Sequence, residues 1–255
     1  MEYIPPGSRP GASHLLSQHN TFVHCGVQAS TLAAVTTHDA ATREPNTPIV
    51  WIDCEMTGLD IDVDELVEVS VVITDSDLTP VDAGIDLIIK PTPGAVEHMG
   101  DFVRQMHTNS GLIKEWEGGL ELGEASAQVL DYIKRHVPEA RRAPLGGNSV
   151  GTDRTFLAKY MPEVVEHLHY RVVDVSSIKE LAKRWYPRAY FASPEKTGNH
   201  RALGDIYDSI DELRYYRSVL MPDGEGPTTA HCKTAAATAA GTTARIAQAP
   251  QTAEG

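Results

Sequence analysis

Between residues 47 and 222 the apolar positions recur with clear periods; on either side of that stretch they do not. Ile49-Val50-Trp51-Ile52 follows Pro48 as an apolar, β-branched run and then meets Asp53 and Glu55, the pattern of a buried strand whose end turns polar. Glu65–Thr74 is strongly β-branched and predicts a second strand, Asp75-Ser76-Asp77 a turn, and Ile85–Ile89 a third strand stopped by Pro91. Short connections between the three suggest an antiparallel meander at one side of a sheet. The period then becomes helical over Gly100–Met106 and over Ala125–Val137, where Val129, Leu130, Ile133 and Val137 share a face and Pro138 marks the stop. Ala143–Ser149 runs into a Gly-rich turn, followed by a helix over Asp153–Met161 for which Ser149 or Thr152 would be the cap. Tyr170–Val175 reads as a strand, Ser176 as the cap of a helix over Ile178–Trp185, and Ala202–Val219 as a long amphipathic helix with Ile206, Ile210, Leu213 and Tyr216 on one stripe. Strands first, then helix and strand in alternation, predict an α/β fold with a mixed central sheet flanked by helices.

Composition sets the domain limits. Residues 1–46 are rich in Ser, Thr, His, Gly and Pro, and 223–255 run through Thr, Ala, Gly and Gln at low complexity, so both are expected to be disordered tails around one domain at 47–222. The net charge is −13, and within 47–222 there are 18 Lys+Arg against 29 Asp+Glu, leaving −11 on the domain. Such a surface repels a long polyanion, since proteins that hold long nucleic acid are usually basic. Short or metal-bridged anions remain open to it. Cys25, Cys54 and Cys232 form no metal-binding or disulfide spacing, which suits a reducing, cytoplasmic setting. No stretch is apolar enough to span or enter a membrane.

The candidate chemistry starts at Asp53 and Glu55. Side chains two apart on a strand share a face, so both acids project together, and such a pair is costly unless a cation sits between them. Hard oxygen ligands suit Mg²⁺ or Mn²⁺. On the pair alone, a solvated strand exit is as good a reading. Asp153 stands in the first turn of a helix, where dipole complementarity also favours an acid. Asp205 lies one turn into the last helix, and Asp208, Asp211 and Glu212 beyond it read as an ordinary charged face. His200 precedes Asp205 by five residues, a turn of about 140° on a helix, so the two converge only with His200 on the loop before it. An imidazole there is suited to act as general base toward water.

Together the residues form D-x-E at a strand end, N-S-x-x-x-D in a turn and H-x-x-x-x-D before a helix. This resembles the His-containing branch of the DEDD exonuclease superfamily, which has an RNase H-like fold. The wording W-I-D-x-E-M-T-G-L, G-N-S-x-x-x-D-R, H-Y-R-x-x-D-V-S-S-I-K-E-L and H-R-A-L-x-D-I is similar to the oligoribonuclease family of actinobacterial type, over nearly all of 48–220. The resemblance implies a 3′-to-5′ exoribonuclease that hydrolyses short oligoribonucleotides, dinucleotides such as pGpG among them, to nucleoside 5′-monophosphates. It implies two ions, Mg²⁺ or Mn²⁺, held by Asp53, Glu55, Asp153 and Asp205, with His200 as the base. Leu59 matches a wedge between the two bases, and Phe102 stands where relatives place an aromatic, often Trp, for stacking. His107 matches a substrate contact, and Ser149, Arg171 and Ser176 a cap over the 5′ phosphate. Tyr170 matches a tyrosine that completes the neighbouring subunit's site, which implies a homodimer. From the residues alone, Tyr170-Arg171 is an unremarkable strand start, and Cys54 should face away from the acids into the core.

A pocket closed on two nucleotides needs no basic track, which reconciles the acidic domain with a nucleic-acid substrate. Two other readings stand beside it: a proofreading-type DNA 3′-to-5′ exonuclease of the same superfamily, and a catalytically silent nucleic-acid-binding module that keeps only the fold.

Overall fold

In the computed structural model, residues 46–196, 200–222, 224 and 226–247 are described, the last seven by their backbone alone. Most of the N-terminal tail and part of the loop before His200 lie outside them.

β1 (Ile49–Met56), β2 (Leu66–Thr74) and β3 (Ile85–Ile88) form the expected meander. After it come α1 (Pro93–His98), α2 (Asp101–Ser110), two short 3₁₀ turns and α3 (Leu122–His136). The chain continues through β4 (Pro144–Gly147), α4 (Gly151–Tyr160), α5 (Pro162–His167), β5 (His169–Asp174), α6 (Val175–Trp185), α7 (Pro187–Phe191) and α8 (Ala202–Leu220). The sheet order is β3-β2-β1-β4-β5, antiparallel from β3 to β1 and parallel from β1 to β5.

β1 is central, and the alternation of its side chains divides the molecule. Val50, Ile52 and Cys54 enter one core with β2 and with Val129 and Ile133 of α3 and Phe156 and Leu157 of α4. Trp51 enters a second core with Val175 of α6 and Ile206, Ile210 and Tyr216 of α8. Cys54 thus faces away from the acids, as expected. Each fully buried aliphatic or aromatic side chain contributes about 1.5–3 kcal/mol over leaving it in water. Gly146 permits the close contact of β4 with β1: a Cβ there would meet Ile49 Cγ2 at 2.7 Å and the Trp51 ring at 3.1 Å.

Several local expectations are corrected. α1, α5 and α7, all with proline in their first turn, are helices that apolar periodicity did not reveal because each is too short to show a period. Neither Ser149 nor Thr152 caps α4, whose N-cap is Val150 with no side-chain bond. Ser176 lies inside α6; the cap is Asp174, which accepts the Ser176 N–H. Within 223–255, the Ala-rich stretch Thr229–Ala247 forms a helix (α9). Alanine has the highest helix propensity, and residues 230–240 of this helix are exposed, so propensity rather than packing accounts for it.

Candidate active site

Trp51, Asp53 and Glu55 share one face of β1, and α8 packs on that face through Ile206 and Ile210 around Trp51. Asp205, one residue before Ile206, is thereby carried over the end of the strand. The result is a cluster in which Asp53, Glu55 and Asp205 each offer a carboxylate oxygen, all within 4.8 Å of one another. Asp153 arrives from the other side. β4 pairs with β1 only at Val50 and Trp51, so the Cys54 N–H has no strand partner there, and Asp153 Oδ1 accepts it at 3.0 Å. The carboxylate of α4 therefore lies against the backbone between the two acids of β1.

The electrostatics of these acids are unfavourable for a protein by itself. Burial raises the Asp53 carboxyl well above its ordinary range, and Asp153, Asp205, Glu55 and Glu68 push it further in that order. Burial, then Glu68, Asp205 and Asp153, raise Glu55 to about 8, with Arg201 opposing. Asp153 rises to about 6, mainly through burial, and Asp205 is also raised by burial, with His200 opposing. Among the described residues no lysine or arginine makes an ion pair with any of the four. Converging hard oxygen donors without a protein cation fit a divalent ion.

His200 stands on the loop immediately before α8, exposed, at φ 47 in the left-handed region. It borders an open cavity of about 570 Å³ lined by Phe102, Gln105, Met106, Asn109, Ser110 and Arg201. Phe102 of α2 is 81% exposed and so has a free ring face. Leu59 is likewise exposed, on a loop locked by Asp64, which accepts Thr57 Oγ1 at 2.8 Å and the Asp60 N–H at 2.9 Å. A Cβ on Gly58 would collide with that Asp64 carboxylate, so the glycine is a requirement of the lock.

His107 is corrected in placement. It is fully buried behind the acids, with Nε2 2.8 Å from Met56 O, Nδ1 3.9 Å from Glu55 Oε2 and its ring edge-on to Trp116. Burial lowers its pKa, which favours the neutral ring. In this arrangement it backs Glu55 and does not reach the surface expected of a substrate contact.

The residues expected to cap a 5′ phosphate divide between the two ends of β5. Ser149 and Ser176 meet at the C-terminal ends of β4 and β5, where the Ser149 N–H donates to Asp174 Oδ1 at 3.0 Å and to Ser176 Oγ at 3.2 Å. Tyr170 and Arg171 lie at the start of β5, bonded to each other through Arg171 Nε and Tyr170 Oη at 3.1 Å. By the parallel register, Val172 is level with Leu145 and hence with Val50. His169 pairs with Pro144 and the register shifts before Leu145, so Tyr170 lies in that irregularity just before the level of Val50, roughly three to four residues, about 10–13 Å of strand, back from Asp53. It is 71% exposed.

Three further residues escaped the sequence reading. Glu68 of β2, the register partner of Glu55, is fully buried and bonded to Arg201 Nε at 2.7 Å. The signal was an acid inside an otherwise apolar strand. Glu212, taken as part of a charged face, is 4% exposed and holds Lys179 Nζ at 3.0 Å, Lys196 Nζ at 3.4 Å and Asn148 Nδ2 at 3.1 Å. Its chain position gave no hint, because burial of that helix face depends on α6. Asn148, which also donates to Ser209 Oγ at 2.8 Å, ties the turn before Ser149 to α8.

Residues 50–213 match the Exonuclease family model. The oligoribonuclease of Leifsonia xyli subsp. xyli is 60% identical over 190 residues, 74% of this chain and 92% of the relative. That of Streptomyces griseus is 57% identical over 192 residues, 75% of this chain and 96% of the relative. Among solved structures, the E. coli Exonuclease I complex with a dT13 oligonucleotide aligns with a TM-score of 0.51 at 13% identity, over 68% of this chain and 41% of that one. Exonuclease I from Methylocaldum szegediense gives 0.50 at 16% identity, over 68% and 41%. This chain spans about two fifths of those larger proteins, and at such identity they speak for the RNase H-like exonuclease fold alone. The closeness and coverage of the relatives decide the family: the chain belongs to the oligoribonucleases.

Proposed function

We propose that this protein is a 3′-to-5′ exoribonuclease that finishes short RNA, above all dinucleotides such as pGpG, to nucleoside 5′-monophosphates. The observation that carries the reading is the convergence of Asp53, Glu55 and Asp205 within 4.8 Å, with Asp153 against the same strand. Asp53, Glu55 and Asp205 would hold one divalent ion, and Asp153, the strongest charged neighbour of Asp53, would share a second with it. Mg²⁺ or Mn²⁺ bound there supplies charge neutralisation of the scissile phosphate and activation of water. His200, on its exposed loop beside Asp205, takes the proton from the attacking water. Leu59 and Phe102 present apolar surface for the two bases. Ser149 would offer its hydroxyl to the 5′ phosphate, Ser176, whose hydroxyl donates to Asp174 Oδ1 at 2.6 Å, would turn toward it, and Arg171, earlier on the same strand as Asp174, would reach in with its positive charge. His107 donates from Nε2 to the Met56 carbonyl and so steadies the strand end beside Glu55.

The enzyme works as a homodimer. Tyr170 is exposed on the edge strand β5, with β4 between it and the acids of β1, and set back along the sheet from Asp53. Trp185 at 65% and Phe191 at 82% exposure add aromatic surface on α6 and α7, of the sort that a second copy covers. Tyr170 then completes the partner's site. Among the described residues no helix is long and apolar enough to cross a membrane, and Cys54 and Cys232 are free thiols, in keeping with the cytoplasm.

Cleavage of a 5′-phosphorylated diribonucleotide, its deoxy analogue and a long RNA, each with Mg²⁺ or EDTA, tests this reading. Strong preference for the RNA dimer, abolished by EDTA, is expected. Equal turnover of long RNA would remove the dinucleotide specificity, and preference for the deoxy dimer would favour the proofreading-type enzyme. A monomer with full activity in sedimentation would refute the role of Tyr170.

A further inference from the structure

Glu68 belongs to no part of the chemistry described above, yet it is the best-bonded carboxylate near it. It lies on β2 with Glu55 as its register partner on β1, fully buried. One oxygen, Oε1, accepts Arg201 Nε at 2.7 Å; the other, Oε2, accepts the Ala202 N–H at 3.1 Å. Arg201 is the N-cap residue of α8, but its own side chain makes no cap bond. The first N–H of that helix is instead satisfied by an acid from the sheet, where the positive end of the helix dipole also favours it. Arg201 continues outward to Glu115, with Nη1 at 2.9 Å and Nη2 at 3.2 Å from its two oxygens.

The position of this clamp in the chain gives it its significance. Arg201 and Ala202 follow His200 directly and precede Asp205 by one turn. His200 is held at φ 47, in the left-handed region that disfavours a residue with a Cβ and persists only where its surroundings enforce it. The backbone immediately after it is the segment fixed to Glu68. α8 is otherwise held by apolar contacts of Leu203 in its first turn and, beyond Asp205, of Ile206, Ile210, Leu213 and Tyr216. Among the described residues the Glu68 hydrogen bonds anchor this segment to the sheet; without them Arg201 and the Ala202 N–H lose their hydrogen-bond partner there, and the first turn is left with its apolar packing, Leu203 among it.

We infer that Glu68 is a positioning residue: through Arg201 and the Ala202 N–H it fixes His200 and Asp205 relative to Asp53 and Glu55. This rests on the exoribonuclease reading for its catalytic consequence, but not for its effect on cation binding.

The test is Glu68→Gln in the full-length protein, with Arg201→Gln as the second variant. Gln at 68 keeps the volume but loses one acceptor, so Arg201 and Ala202 can no longer both be served. Mn²⁺ titration by calorimetry is expected to show about tenfold weaker binding. On a 5′-phosphorylated diribonucleotide, kcat should fall about 10²-fold while KM stays within about threefold, the mark of displaced reacting groups and not of lost substrate contacts. Arg201→Gln keeps the Ala202 bond and should show a smaller loss in the same sense; because Arg201 is part-exposed, this variant decides the matter if Glu68→Gln does not fold. A lower melting temperature with Mn²⁺ affinity and kcat per folded molecule within about twofold of wild type would overturn the inference. If the wild-type protein hydrolyses no dinucleotide, the proposed function fails, while the Mn²⁺ comparison still decides the role of Glu68.

Discussion

Glu55 and Glu68 face each other across the β1–β2 ladder and both are buried, yet their surroundings are opposite. Glu68 has a guanidinium at 2.7 Å and a helix N–H at 3.1 Å. Among the described residues Glu55 has a buried histidine nitrogen at 3.9 Å and no cationic partner, and its neighbours Asp53 and Asp205 are acids. Glu212 follows the pattern of Glu68, with two lysines and an asparagine amide around it. Burying a charge costs several kcal/mol unless it is paired, so a fold that supplies partners for two acids and none for three others has divided its carboxylates by task. The paired ones hold elements together; the unpaired ones fit a divalent cation.

The sharpest way to break this comparison is Asp53→Asn. Turnover should fall by at least about 10³-fold, because several kcal/mol of charge stabilisation are lost. The metal-free protein should at the same time melt higher, since a repulsive buried charge is gone. A lower melting temperature in EDTA would place Asp53 among the structural acids.

The pH dependence of the metal-free protein comes next. Glu55 has an ordinary value of 4.5 and sits at about 8 in the fold, so between these the folded state keeps a proton that the unfolded chain releases. Stability should therefore be greatest near pH 5 and decline as pH rises toward 8, by up to about 1.4 kcal/mol per pH unit for each such proton. Asp153, raised to about 6, adds to the same trend at the lower end. Mn²⁺ should restore stability most at pH 8, where the carboxylates are ionised. Thermal melts with and without Mn²⁺ at the two pH values check both the sign and the reversal.

Glu212→Gln tests the opposite class and should cost about 1–2 kcal/mol, limited because Lys179 and Lys196 are part-exposed and can turn to water. Denaturant unfolding would measure it, and a stabilised variant would contradict the structural role. The smallest stability effect is expected from Tyr170→Ala, within about 0.5 kcal/mol for so exposed a residue. Dinucleotide turnover should nonetheless fall by at least about tenfold, and mixing this variant with Asp53→Asn protein should recover activity if Tyr170 acts across a dimer.

Much of the molecule was legible in the chain. β1, β2 and the apolar stripe of α8 follow from period alone, because burial on one face or both leaves a repeat that local sequence must carry. Asp53 and Glu55 were bound to share a face for the same reason, and the spacing of His200 and Asp205 required a loop-to-helix boundary between them, which is where α8 begins. Proline-led α1, α5 and α7 went unseen because five or six residues hold too little pattern to separate helix from turn.

What tertiary structure alone decided was the company each polar residue keeps. His107 and His200 are both histidines among polar neighbours in the chain, but packing against Trp116 buries one, while the other stands exposed on its loop. Glu212 looks like its neighbour Asp211 until α6 closes over it. Tyr170 and Arg171 are close to Asp174 and Ser176 in sequence, yet the shifted register of β5 sets them back near the level of Val50, on the edge strand. Periodicity records which face of an element is buried. Which residues of other elements that face will meet depends on register and helix placement, and these arise from contacts far apart in the chain.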